Sequence, residues 1–408
     1  MNSEMRDTVL SHVIAERVTQ LEMDLVRIPS FTFEEAELAE YLMTTMDQIG
    51  LDVEMQEIPI PDGKVGKQPV GRLLGDGTGP TLLFCGHMDY MGRTEGIWER
   101  DPFGPVVEDG WLYGRGCKDE KGGLAAMVSA AEAMVKAGVP LKGNVIYAPV
   151  MGHKREGVGV RHLLDSGVTA DMAIVTENCD NGVSTVCGGR VTGLIRITGE
   201  PWWFYDPTKD KRPIHYAEKL AKVIQAMGPN NQPADSTGWM TFEPSDRLPT
   251  FPRFNILNVS TEDTEGPCAS IEFWVRTVPG QTESTIRADL ERLLTGLANE
   301  DPDLKWDLDI YSPSQEPHSI PEDHVVVQSL IQWHKHVTGE EPEVGEKPRM
   351  GHVGDSSYLE KAGIPTVLYG PGTIRIFEFW PALDERILLD DIVTAAKVYA
   401  LTTLELCG

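Results

Sequence analysis

Apolar side chains recur at helical spacing early in the chain, at Val9, Val13, Val18 and Leu21, then again at Leu38 and Leu42. Residues from about Asp7 to Met46 are therefore predicted to form two helices. The break between them falls at Ile28-Pro29-Ser30, because a proline disfavours helix in the residue before it. Strand-like segments follow at Val53 to Ile60, Leu82 to Phe84 and Asn144 to Val150, with a small-residue helix predicted over Leu124 to Ala137. Alternation of strands with helices predicts an α/β fold: a mixed sheet flanked by helices, with its site at the strand ends. From about Gly188 the pattern changes. Strands near Leu194 to Thr198 and Ala269 to Arg276, with helices near Tyr216 to Met227 and Glu283 to Leu297, describe a smaller α+β domain inserted into the first. The boundaries read this way are 1–189 and 311–408 for the larger domain and 190–310 for the insert, with a helix over Val325 to Val337 after the chain returns.

Charge and composition narrow the functional classes. The chain has 63 acidic against 36 basic residues, a net charge of −27, which argues against nucleic acid as a partner, since neutralising phosphates needs a Lys/Arg surplus. No run approaches the roughly 18 apolar residues of a membrane span. The start lacks the basic, apolar and small-residue sequence of a signal peptide, so the expectation is a cytoplasmic protein without membrane contact. Six scattered cysteines without a Cys-x-x-Cys clip are expected to be reduced thiols; Cys117, close to Asp119, is read as a small packing residue in preference to a metal neighbour.

The chemistry concentrates between Thr81 and Gly123. A strand beginning at Leu82 delivers His87 and Asp89 at its C-terminal end, and Gly114-Arg115-Gly116-Cys117-Lys118-Asp119-Glu120-Lys121-Gly122-Gly123 bends the backbone just before a helix, which places Asp119 near His87. An imidazole held by one carboxylate with a second nearby is how proteins bind zinc or manganese; a buried His-Asp hydrogen-bonded pair is the structural alternative. The two motifs, His-x-Asp and Gly-Arg-Gly-x-x-Asp-x-Lys-Gly, resemble those of the dinuclear zinc aminoacylase and carboxypeptidase superfamily, which includes acetylornithine deacetylase, succinyl-diaminopimelate desuccinylase and glutamate carboxypeptidase. The resemblance covers nearly the whole chain. It implies that His87 is a metal ligand, Asp89 the carboxylate orienting it, Asp119 a bridging ligand and Glu177 a ligand of the second metal. It also implies that the insert is a lid or dimerisation domain, so that a homo-oligomer forms through it.

Several positions depart from that family. Aligned on Gly157 and Gly159, His153 and Lys154 stand where the family has two glutamates, its general base and a ligand of the first metal; a local slip would bring Glu156 into the site instead. Trp203, within the aromatic run Trp202 to Tyr205, replaces the histidine that polarises the substrate carbonyl, with His215 nearby on the following helix. The family's last histidine ligand would fall at Pro381, four residues before Glu385, and Glu378 is the nearest carboxylate. The two missing ligands, at Lys154 and near Pro381, are by the resemblance those that serve the first metal alone, while His87, Asp119 and Glu177 make a complete set for the second. The expectation is therefore one divalent transition metal per chain, Mn or Zn, with Lys154 either standing where the absent cation was or lying at the surface.

The function this implies is a metal-dependent hydrolase cleaving a C–N bond of a small, carboxylate-bearing molecule, with His153 as the base. Arg349 or Arg276 would hold the carboxylate, Asp355 lies in the loop that resembles the family's substrate-binding loop, and Trp203 would stack on the substrate. Loss of the carbonyl-polarising histidine favours an aromatic amine or amide, a departure similar to that of 5-nitroanthranilate aminohydrolase. The alternatives are a conventional aminoacylase, dipeptidase or deacetylase using Glu156, and a non-catalytic metal-binding scaffold.

Overall fold

The computed structural model describes the chain apart from residues 1–2, 91–97, 200–215, 231–237, 245, 247, 249–251, 263–267, 347–352 and 373–383. It divides into two compact units, one of Met1–Val186, Ser319–Met350 and Gly354–Gly408, the other of Cys187–His318 with Gly351–Val353. The second unit extends past the 310 boundary because Lys305–Gln315 is one continuous strand, paired along its length with Gly189–Thr198.

In the first unit an eight-stranded sheet runs, in spatial order, Asp52–Pro59, Val65–Leu73, Val145–Val150, Leu82–His87, Met172–Val175, Thr366–Leu368, Val183–Ser184 and Val344–Gly345. Its first two strands are antiparallel, whereas Val145–Val150, Leu82–His87, Met172–Val175 and Thr366–Leu368 pair in parallel. Leu82–His87 is central and buried along its whole length, as a strand covered on both faces requires. Helices Gly122–Lys136 and Leu389–Cys407 pack on each other and close a core that also takes in Ala15–Arg27 and Ala36–Gln48.

Two elements differ from the sequence pattern. The N-terminal region holds three helices, Ser3–Ser11, Ala15–Arg27 and Ala36–Gln48, because the chain is already extended at Ile14 (φ −94°, ψ 118°). The strand Val65–Leu73 has no apolar alternation to announce it. Its buried Gln68 is satisfied from outside the strand: its amide donates to Gln56 Oε1 and Gly159 O, and its Oε1 accepts from Met151 N.

The second unit has a four-stranded antiparallel sheet, in the order Arg253–Glu262, Cys268–Thr277, Gly189–Thr198 and Lys305–Gln315. Buried residues alternate along Cys268–Thr277, and this face packs with helices Tyr216–Met227 and Glu283–Glu300 into a separate core that includes Val275, Phe273 and Leu290. Among the described residues no helix is long and apolar enough to cross a membrane.

Candidate metal centre and active site

The site lies where parallel strands of the first unit end, which is where open α/β sheets collect their ligands. His87 is the last residue of Leu82–His87, and Glu177 stands just beyond the neighbouring Met172–Val175. Asp119 arrives on the turn before helix Gly122–Lys136. Gly116 opens that turn with φ 80°, a left-handed conformation that favours glycine. At Gly123 a Cβ would come within 2.2 Å of Thr176 O, so only glycine lets the helix start this close to the strand carrying Glu177.

The turn is held by a residue whose role the sequence left unassigned. Glu385 accepts from the backbone N–H groups of Gly116 (2.9 Å), Lys118 (3.0 Å) and Asp119 (3.1 Å), with Arg115 Nη1 at 3.5 Å. Glu120, also unassigned, turns inward, where its Oε1 accepts from His87 N and from Thr176 Oγ1. Burial, then the neighbouring Glu177 and Asp119 carboxylates, push the Glu120 carboxyl well above the usual range, so it favours its protonated form.

His87 is 1% exposed, and neither ring nitrogen makes a hydrogen bond. Its Nε2 nevertheless lies 3.0 Å from Asp119 Oδ1 and 3.7 Å from Glu177 Oε1. An imidazole with its nitrogens unused, facing two carboxylates, is the donor set of a divalent transition metal, and the residues present fit one. Asp89 does not orient this ring as the sequence predicted, since His87 Nδ1 is 3.8 Å from its Oδ1, beyond hydrogen-bonding distance. Its carboxylate instead accepts from His153 N (2.9 Å), Lys154 N (3.2 Å) and Thr32 Oγ1 (2.9 Å), and so shapes the turn that replaces the paired glutamates.

His153 is buried beside His87, and one donor atom from each of His87, His153 and Glu177 falls within 4.8 Å of the others. Proximity alone would make His153 a third ligand, but the ring geometry argues against it. The two imidazoles stack, with centroids 4.2 Å and planes 15° apart. A ring nitrogen's lone pair lies in its ring plane, so two nearly parallel imidazoles do not aim their lone pairs at one shared point. His153 Nδ1 is instead 3.0 Å from Asp355 Oδ2, while Nε2 lies 3.8 Å from Glu177 Oε1. Burial alone would lower the imidazole pKa; Asp355 reverses this and raises it, and the Asp355 carboxyl is held below the usual range, against its own burial, by His153.

Asp355, expected to touch substrate, is buried with its Oδ2 on this imidazole, while its Oδ1 makes no hydrogen bond among the described residues. Lys154 reaches both oxygens of Asp119, at 3.3 and 3.4 Å. Glu156 sits in the turn beyond, with a left-handed backbone (φ 60°). Cys117 is fully buried, as a packing residue would be. Arg276 belongs to the second unit, on Cys268–Thr277, directly opposite Arg190 on one neighbouring strand and Arg253 on the other. Trp203, His215, Arg349, Glu378 and Pro381 lie outside the described residues.

Residues 83–405 match Peptidase family M20/M25/M40. Among curated relatives, the N-formyl-4-amino-5-aminomethyl-2-methylpyrimidine deformylase of Bacillus subtilis is 26% identical, over 86% of this chain and 85% of its own. A succinyl-diaminopimelate desuccinylase of Methylobacterium radiotolerans is 25% identical, over 95% and 96%. Among solved structures, a tripeptidase of Staphylococcus aureus shares the fold with TM-score 0.73 at 17% identity, covering 95% of this chain and 97% of that one. A dinuclear metal-binding peptidase of Bacillus subtilis does so with TM-score 0.63 at 15% identity, covering 96% and 98%. With most of its length matched to that family and with relatives that cleave C–N bonds, the chain belongs to Peptidase family M20/M25/M40 and is a metal-dependent hydrolase of C–N bonds.

Proposed function

We propose that the protein hydrolyses the C–N bond of a small aromatic amine or amide that carries a carboxylate, using one divalent metal and a histidine base. The observation that carries this reading is the His153 imidazole, held by Asp355 at 3.0 Å and stacked over His87, in the place where the family has its glutamate base. His87, Glu177 and Asp119 would hold the ion, Mn or Zn, which when bound polarises substrate and water as a Lewis acid. With Asp355 fixing the proton on Nδ1, His153 Nε2 is the atom that takes a proton from the attacking water and delivers it to the departing nitrogen. As the new C–O bond forms, the C–N bond breaks and the amine leaves with that proton.

The substrate class rests on the lid sequence and on one relative. Trp203 stands where a donor to the developing oxyanion is expected, so an aromatic ring that can itself accept charge compensates for the missing donor. The deformylase relative is named for an N-formylated aminopyrimidine, an amide on a heteroaromatic compound. Arg276, flanked by two arginines on its sheet, offers an anion a positive face, and Arg349 is the second carboxylate anchor of the proposal. The lid is proposed to mediate a homo-oligomer. A panel assayed with Mn²⁺ and with Zn²⁺ tests the reading: carboxylated anilines and N-acyl or N-formyl aromatic amines against aliphatic N-acetyl amino acids and dipeptides. Faster turnover of the aromatic set is expected, and rapid hydrolysis of an ordinary N-acetyl amino acid would overturn it.

A further inference from the structure

In a dinuclear site a carboxylate is shared between two cations, and each cation offsets part of its charge. Asp119 stands here between an imidazole and an ammonium. Its Oδ1 lies 3.0 Å from His87 Nε2 and 3.3 Å from Lys154 Nζ, and its Oδ2 lies 3.4 Å from the same ammonium. The lysine is built into the site. Its backbone N–H donates to Asp89 Oδ2 at 3.2 Å, and its side chain is only 19% exposed. Asp119 is fixed in turn, through its own N–H, by Glu385. The surroundings call for positive charge, since Asp89, Glu177 and Asp355 are all buried close by.

We propose that the ammonium of Lys154 takes the place of a second metal ion, neutralising Asp119 by straddling both of its carboxylate oxygens and keeping the centre mononuclear. This rests on the single-metal reading above and deepens it. An ammonium supplies positive charge and three N–H donors, so it offsets the Asp119 carboxylate at both oxygens while repelling a second dication from them. Lys154 is thereby a determinant of metal number.

The test reads metal binding, not turnover. Full-length protein is loaded with Mn²⁺, desalted and measured by elemental analysis. Parallel samples are titrated to millimolar Mn²⁺ and followed by electron paramagnetic resonance. Wild type and Lys154→Arg are expected to hold one ion per chain with the six-line spectrum of isolated Mn²⁺. Lys154→Glu, which adds a hard oxygen donor, is expected to approach two ions per chain with a spin-coupled spectrum. Lys154→Met removes the charge with little change of length and is expected to admit a second ion at millimolar Mn²⁺; it decides the matter if the glutamate variant does not fold by circular dichroism. If wild type holds one ion and both variants also stay at one with an unchanged spectrum, the role given to Lys154 is overturned while the single-metal reading stands. Two ions in wild type would overturn both.

Discussion

Replacing Asp355 with asparagine keeps the size of the side chain while removing the charge that holds His153. In the native site Asp355 Oδ2 is 3.0 Å from His153 Nδ1, and both groups are buried. A charge-assisted hydrogen bond of this kind is worth about 1.5–3 kcal/mol, which at about 1.36 kcal/mol per decade is roughly a 10- to 150-fold effect. An asparagine amide can also donate to Nδ1, which would move the proton to Nε2 and leave the working nitrogen without its lone pair. That tautomer change costs about 10⁴-fold in Ser-His-Asp enzymes, close to the upper limit of about 10⁴ for removing a general base altogether. Asp355→Asn is therefore expected to lower kcat by about 10-fold if only the charge is lost and by up to about 10⁴-fold if the tautomer changes, and to leave the metal content unchanged. Because Asp355 raises the His153 pKa against the effect of burial, its loss should also move the acid limb of the kcat/KM profile to lower pH. Steady-state kinetics across pH, with elemental analysis of the same preparations, makes the measurement. A kcat within about threefold of wild type would refute the base assignment, and loss of the metal along with activity would show that His153 is a ligand.

Two further outcomes follow from the same geometry. His153→Ala should lower kcat by about 10²- to 10⁴-fold while Glu156→Gln costs much less, and the reverse ranking in kinetics would favour a conventional carboxylate base. Glu35, whose Oε1 accepts from Gly152 N at 2.9 Å, is pushed up to about 8, first by burial and then by Asp89. Its folded pKa lies above the unfolded one, so its contribution is fully present below pH 4.5 and is lost as pH rises through about 8, up to about 5 kcal/mol at full linkage. Urea melts of Glu35→Gln between pH 4.5 and 8 should show a flatter loss of stability than wild type, and parallel curves for the two would refute the linkage.

What the sequence determined by itself was whatever its order encodes locally. Apolar runs at strand length marked Leu82 to Phe84 and Asn144 to Val150, and the α/β fold with them, because a buried strand must be apolar whatever its neighbours are. Glycines before Asp119 marked a sharp turn into a helix that puts Asp119 near His87, and the family resemblance pointed to Glu177, which the structure places 3.7 Å from His87 Nε2. The tertiary structure alone decided who partners whom. Nothing near Asp355 in the chain shows that its Oδ2 faces His153 Nδ1. Asp89 follows His87 so closely that the two looked like partners, yet it bonds to the turn carrying His153 and Lys154. The grip of Glu385 on the Asp119 turn and the antiparallel strand around Gln68 were equally hidden. In each case a polar group is satisfied by another far away in the chain. Periodicity reports burial within one element, whereas hydrogen bonds between elements exist only once the sheet has brought them within about 3 Å of each other.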